Sequence, residues 1–311
     1  MQIHGDREAE LAGATLDELR ARHPAEWEKV SEAVLAALAS GSAEKVAALA
    51  RAARAEADLW RERLRRSGGN PAVLATALPV LVRERMGRLA IEKTALAVAA
   101  REAGGTVRLG LWSGLVVQRL LFAGRGLERK PVSLAAFRLA WPLVPDRRLV
   151  MPLVQTRGIY CFYSRELVRR LAALCQGPCL EIAAGDGTLS RFLAAEGVAV
   201  TATDDGSWGH AVTPPPSVER LEAREALRRH RPRTVICSWP PPGNPFERAV
   251  FEAPGVERYL LITSRHRFAA GDWKAYERQQ AFAWAEEPAL TALVLPPELD
   301  PAVLVFRRKA A

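Results

Sequence analysis

At 311 residues the chain is long enough for one large domain or two smaller ones, and its 49% hydrophobic and 25% charged content is that of an ordinary globular protein. No apolar run reaches the ~20 residues that a membrane span requires, and the first residues carry no basic stretch followed by an apolar one, so a cytoplasmic chain with no signal peptide and no membrane partner is expected. The net charge of +9 is unevenly placed: residues 101–170 hold 13 basic and 4 acidic side chains, whereas the flanking segments nearly balance.

Residues 6–66 read as helices. Leu11, Leu16 and Asp17 open a first amphipathic stretch. Pro24 stands at a helix start, followed by Trp27, Val30, Val34 and Leu38 at helical spacing. A further helix begins at Ser42 and runs to about Arg66, where Ser67-Gly68-Gly69-Asn70-Pro71 breaks it. Another apolar helical region covers 72–103 and ends at Gly104-Gly105. Prolines and glycines punctuate 106–156, so short helices joined by loops are expected there.

In this basic stretch Trp112, Phe122, Phe137, Trp141, Tyr160, Phe162 and Tyr163 interleave with arginines, a pattern that RNA-binding surfaces use. Arginine outnumbers lysine 38 to 6 and alanine is abundant. A coding bias alone could therefore produce a plain basic surface. The four cysteines include one close pair, Cys175 and Cys179, with no partner motif to complete a zinc site, so free thiols and no metal are expected.

From residue 164 short β-branched runs alternate with helical stretches, the pattern of βαβ units. Strands are predicted at 178–184, 197–203, 217–221, 233–238, 258–263, 290–296 and 302–308, with helices at 164–175, 187–195, 223–230, 244–252 and 271–285. The six residues Pro296–Pro301 are too few for a crossover helix, so the last two strands should form an antiparallel hairpin. The expected fold is α/β, a seven-stranded mostly parallel sheet with a C-terminal antiparallel hairpin. A mainly α-helical domain (1–156) precedes the sheet domain (157–311).

Four stretches at strand ends carry chemistry. The first is Leu180-Glu181-Ile182-Ala183-Ala184-Gly185-Asp186-Gly187, a strand that runs into a glycine-bearing turn and a helix start, where free N–H groups face a ligand. The second strand ends at Asp204-Asp205, and a carboxylate at that tip can accept from two ribose hydroxyls. The third runs into Glu222-Ala223, and the fourth ends in Ser238-Trp239-Pro240-Pro241-Pro242-Gly243-Asn244-Pro245-Phe246, a stiff loop at the edge where open α/β sheets bind ligands.

This ordered set resembles the class I S-adenosylmethionine-dependent methyltransferases, in a divergent form. The resemblance implies S-adenosyl-L-methionine as cofactor. Ala183, Gly185, Asp186 and Gly187 would form the turn around its methionine part, with Glu181 near the amino group. Asp204, with Asp205 as the fallback, would hold the ribose, Glu222 and the Ala223 amide the adenine, and Tyr160 would fold over the cofactor. Ser238 would face both cofactor and acceptor. Ser238 and Trp239 resemble the polar-proline-proline-aromatic motif of amino-group methyltransferases, which favours nitrogen as the acceptor atom. Tyr163 is placed at the acceptor as well, and His210 and His266 are the candidate bases where an acceptor must lose a proton.

The sequence departs from the family at three places. Ala183 stands where a glycine is usual, so a slightly tighter turn is expected. Trp239 separates Ser238 from the prolines. Pro214-Pro215-Pro216 rules out the usual helix after the second strand and leaves an open loop bearing Trp208. A small-molecule or peptide acceptor is the leading expectation, with residues 1–156 as a lid, substrate-contacting or homodimerisation element. RNA methylation through the 101–170 segment is the alternative. An NAD-dependent oxidoreductase, which shares the second-strand carboxylate, and a non-catalytic cofactor-binding protein complete the set.

Overall fold

The computed structural model describes residues 11, 14–39, 43–68, 70–102, 111–207, 212–267 and 269–309. The chain divides into two compact units, Met1–Leu96 and Ala97–Ala311.

The first unit is helical: α1 (Leu16–Arg22), α2 (Pro24–Ala39), α3 (Ala43–Arg66) and α4 (Pro71–Glu102), the last running past the unit's boundary. Helix α1 starts at a capping box, in which the Thr15 hydroxyl accepts from the Glu18 amide and the Glu18 carboxylate accepts from the Thr15 amide. Ala57, Leu64, Ala77 and Leu81 form a buried seam between α3 and α4, and the Arg61–Glu84 ion pair at 3.0 Å joins the same helices. The expected Gly104-Gly105 stop lies outside the described residues.

Beyond the end of α4 the second unit holds α5 (Leu111–Leu121), α6 (Leu134–Ala140) and α7 (Arg147–Gln155). Their buried residues, among them Leu121, Phe137, Trp141, Val150 and Met151, pack with Phe162 and Leu295. Phe162 and Leu295 are register partners in a two-stranded antiparallel ribbon of β1 (Phe162–Tyr163) and β8 (Val294–Leu295). These helices therefore share a core with the C-terminal part of the chain, so the compact unit starts before residue 157.

A seven-stranded sheet follows: β2 (Cys179–Glu181), β3 (Val200–Asp204), β4 (Val218–Arg220), β5 (Thr234–Ser238), β6 (Arg258–Ser264), β7 (Phe282–Glu286) and β9 (Pro301–Arg308). The order is β4-β3-β2-β5-β6-β9-β7. Strands β2 to β6 pair in parallel, and β9 lies antiparallel between β6 and β7. Both faces are covered, so successive residues of the central strands alternate between two apolar layers, and β5, β6 and β9 are buried over most of their length. Cys179, Ile236, Leu260 and Val303 pack with α8 (Arg165–Leu174) and α9 (Thr188–Ala195). Leu180, Val235, Leu261 and Leu304 pack on the other side with α10 (Ala223–His230), α11 (Arg248–Glu252) and α12 (Trp273–Arg278).

The mostly parallel seven-stranded sheet with a terminal antiparallel pair is the architecture expected from the sequence, but one of its strands is not where it was predicted. The predicted helix 271–285 stops at Arg278, and Phe282–Glu286 is the hairpin partner of β9. Helix-forming alanines and a glutamate mask a period of two in Phe282-Ala283-Trp284-Ala285-Glu286, whose burial alternates along the strand. Gln279 enforces the stop, its side chain accepting from the Phe282 amide at 2.8 Å and donating to the Phe282 carbonyl at 3.0 Å. The predicted strand 290–296 is instead a short helix, α13 (Pro288–Thr291), followed by β8, which leaves the main sheet to pair with β1.

Candidate functional site

The strand order reverses beside β2: β3 and β4 lie on one flank, β5 and β6 on the other. At such a switch point the loops after the strands diverge and leave a crevice at the C-terminal edge. A cleft of about 200 Å³ opens there, lined by residues that follow β2, β3, β4 and β5 together with the segment around β1.

Glu181 closes β2 at the floor of the cleft, 2% exposed. Its Oε2 accepts from the Ser190 amide at 2.9 Å and from the Ser190 hydroxyl at 2.5 Å, so the strand carboxylate serves the first turn of α9. Burial pushes its carboxyl up to about 7, against the pull of the Ser190 hydrogen bonds. The turn that follows has Ala183 at φ 50°, Gly185 at φ 57° and Gly187 at φ 67°. Ala183 thus adopts the left-handed backbone that glycine favours, and the turn keeps its shape with a methyl group added.

Asp204 ends β3 and holds the turn from the side. Its Oδ2 accepts from the Gly185 amide at 2.9 Å and its Oδ1 from the Gly206 amide at 2.8 Å. Asp205 and Ser207 also line the cleft, with the Ser207 amide donating to Asp205 Oδ1 at 2.7 Å. Leu221 and Ala223 form an apolar patch of the wall beyond β4. Glu222 between them is exposed and sits at the N-cap of α10, accepting from the Glu225 amide, and is not among the lining residues. Residues 212–217 form no helix, as their prolines require, whereas Trp208 and His210 lie outside the described residues.

On the β5 side Ser238 shares a hydrogen bond of 2.8 Å with the Tyr163 hydroxyl and lies 3.7 Å from the Cys161 thiol. Burial raises the Tyr163 hydroxyl well above the usual tyrosine range, so it stays protonated. Trp239 follows at φ 59°, with its amide bonded to the Ile262 carbonyl at 2.7 Å. A bulky residue in this backbone region is strained, and such strain is concentrated at ligand sites. The rings of Tyr160, Tyr163, Trp239 and Phe246 and the prolines 240–242 share the lining.

Beneath the proline loop lies a fully buried carboxylate, Glu247. It accepts from the hydroxyls of Tyr259 (2.5 Å) and Tyr276 (2.7 Å), from the Asn244 amide group (2.6 Å) and from the Asp272 amide (3.2 Å). Asn244 also donates to the Pro241 carbonyl at 2.8 Å, which ties this network to the cleft wall.

His266 is 3% exposed, with its Nε2 3.7 Å from Asp300, and is not among the lining residues. Three of the four cysteines are buried and none is in a disulfide; Cys175 and Cys179 approach to 3.8 Å between sulfurs.

The sequence motifs did not single out Arg129 or Cys161. Arg129 belongs to the loop after α5 and reaches the glycine turn, pairing with Asp186 at 2.6 Å. Cys161 is 1% exposed and faces Ser238. Both stand before the sheet, in a segment with no periodic signature, and tertiary packing alone brings them to the cleft.

No family model matches the sequence, and no curated protein matches it. Several solved structures are similar at low identity. The 23S rRNA methyltransferase ErmE is 22% identical over 47% of this chain and 69% of its own, with a TM-score of 0.28. The magnesium protoporphyrin IX methyltransferase ChlM of Synechocystis PCC 6803, solved with bound SAM, is 14% identical over 70% of this chain and 97% of its own, with a TM-score of 0.35. The plantazolicin methyltransferase BpumL, in complex with SAH, is 11% identical over 55% and 93% respectively, with a TM-score of 0.32. The strand order described above carries the fold by itself. At such identities and superposition scores nothing about substrate passes from these proteins to this chain.

Proposed function

We propose that the protein is an S-adenosyl-L-methionine-dependent methyltransferase. The observation that carries this reading is the convergence on one cleft of the glycine-bearing turn after β2, carboxylates at the tips of β2 and β3, and the Ser238-Trp239-proline loop at the tip of β5. The donor set fits a zwitterionic nucleoside. Glu181, Asp186, Asp204 and Asp205 line the cleft, Leu221 and Ala223 offer an apolar rest for a base, and a buried cation, Arg129, has a nitrogen with no hydrogen-bond partner among the described residues.

When bound, the cofactor supplies an electrophilic methyl group on a sulfonium. The chain's own residues position the acceptor in line and exclude water. Asp204 would hold the ribose hydroxyls from the end of β3, with Asp205 beside it, and Ala184 to Gly187 would cradle the amino-acid end. Tyr160 would cover this end, and Glu181 would keep a carboxylate near its ammonium. Glu222 would act indirectly, fixing the start of α10 so that the Ala223 amide meets the adenine. Ser238, tied to Tyr163, would bond the acceptor atom, and the rings of Trp239 and Phe246 would flank a planar acceptor. Tyr163 holds its proton and so serves as a hydrogen-bonding group, which suits an acceptor that arrives with a free lone pair. Nitrogen on a small molecule or peptide is the acceptor this favours. The helical residues 1–156 would choose it, as a lid, a substrate-contacting element or a homodimer contact.

Thermal-shift titration separates the classes. S-adenosylhomocysteine should raise the melting midpoint and NAD should not; the reverse result sinks the proposal in favour of an oxidoreductase. Cofactor binding without turnover on any acceptor would leave a non-catalytic binding protein. A second acceptor class, RNA, is favoured by the arginine excess in 101–170. It requires RNA affinity that falls steeply with salt, and indifference to salt and RNA excludes it.

A further inference from the structure

Among the described residues the cleft wall carries one cationic side chain, Arg129, and four carboxylates, Glu181, Asp186, Asp204 and Asp205. It is 7% exposed. One Nη donates to Asp186 Oδ1 at 2.6 Å and the other to the Cys161 carbonyl at 3.0 Å, and the guanidinium lies 5.4 Å from the centre of the Tyr163 ring. A guanidinium has five N–H donors in a planar fork, and these two bonds use two of them. Its Nε is buried with no hydrogen-bond partner among the described residues. Asp186 is an incomplete counter-ion, because its side chain is 38% exposed and the same Oδ1 also accepts from the Thr188 amide at 3.0 Å.

A buried, permanently charged group with unspent donors is costly unless an acceptor meets it. The carboxylates of the same cleft would repel a phosphate or any other multiply charged anion, whereas a single carboxylate carried next to an ammonium matches the mixed charges. We infer that Arg129 reads the α-carboxylate of an amino-acid moiety bound at the glycine turn, so that this end of the cleft selects a zwitterion. Carboxylate and guanidinium meet through paired charge-assisted bonds. The inference rests on the cofactor reading above and names the residue that distinguishes the cofactor's amino-acid end from a bare nucleoside thioether.

Calorimetry on the full chain tests it with three ligands: S-adenosylhomocysteine, S-adenosyl-3-thiopropylamine, which lacks only the carboxylate, and 5′-methylthioadenosine, which lacks the whole amino-acid end. The wild-type protein should lose roughly ten- to hundred-fold in affinity when the carboxylate is removed, the span of one charged hydrogen bond. Arg129→Gln should weaken S-adenosylhomocysteine by a similar factor and leave the two carboxylate-free ligands near their wild-type affinities. Arg129→Lys, which keeps the charge and loses the fork, should fall between. Equal weakening of all three ligands would make Arg129 a structural strap between the turn and Cys161, and would overturn the inference. So would a wild-type protein that binds the thiopropylamine as tightly as S-adenosylhomocysteine, a comparison that needs no variant to fold. A wild-type protein that binds none of the three fails the cofactor reading itself, a pattern distinct from the other two.

Discussion

Glu181 answers to two neighbours, the first turn of α9 on one side and the cleft on the other. Its folded pKa of about 7 stands above the ordinary 4.5 because burial penalises the charge. Between these values the unfolded chain has released the proton and the folded chain still holds it, so this group's contribution to stability is fullest below 4.5 and declines as pH rises through 7. Glu181→Gln should flatten that decline, read as the urea midpoint against pH. An ammonium-bearing ligand favours the ionised form, so affinity for S-adenosylhomocysteine should rise as pH climbs towards 7, and the variant should lack that rise. A wild-type affinity that ignores pH over this range contradicts the assignment. The turn above gives a second test. A Cβ at Gly187 would stand 2.7 Å from Val218 Cγ2, in a left-handed backbone. Gly187→Ala should therefore cost about 1–3 kcal/mol and lower the thermal midpoint. Ala183→Gly relieves a similar backbone strain while adding chain entropy to the unfolded state, so its midpoint should move much less.

At the scale of elements, the proline loop after β5 lacks a regular hydrogen-bond ladder and is held from below. The Glu247 network joins Tyr259 on β6, Tyr276 on α12 and Asn244 within the loop. Removing the carboxylate strands two buried hydroxyls and a side-chain amide, and each orphaned group costs about 1–3 kcal/mol. Glu247→Ala should cost about 3–5 kcal/mol, as several buried donors lose their acceptor at once. Glu247→Gln, which still accepts, should cost less, and chemical denaturation measures both. Equal losses would show that the carboxylate itself, and not the volume removed, matters. The β7 strand teaches a related lesson. Ala283, Ala285 and Glu286 are good helix formers, yet the segment pairs with β9 because that edge offers a ladder and Gln279 blocks the helix.

For the whole molecule, the cleft-lining residues run from Arg129 to Ala269 and all belong to the unit Ala97–Ala311. A chain beginning at Leu111 should therefore unfold cooperatively and be stabilised by S-adenosylhomocysteine as the full chain is. Loss of that ligand shift in a folded fragment would assign part of the site to the first unit. No described helix is long and apolar enough to cross a membrane. The division of labour between sequence and fold follows from the range of the interactions involved. Glycines at a strand–helix turn, carboxylates at strand tips and prolines after β5 act through local backbone geometry, so Glu181, Asp204 and Ser238 could be placed from sequence alone, with the parallel sheet around them. Where a partner is distant, sequence was silent. Arg129 meets Asp186 across 57 residues, Tyr163 meets Ser238 across 75, and Glu247 finds Tyr276 across 29. The same is true of the pairing of β8 with β1 and of His266, which is buried near Asp300 and is not among the cleft-lining residues. Local chemistry marks which residues stand at the strand tips around the cleft. Long-range packing decides which charges and hydroxyls surround them, because burial and pairing energies exist only once the chain has closed on itself.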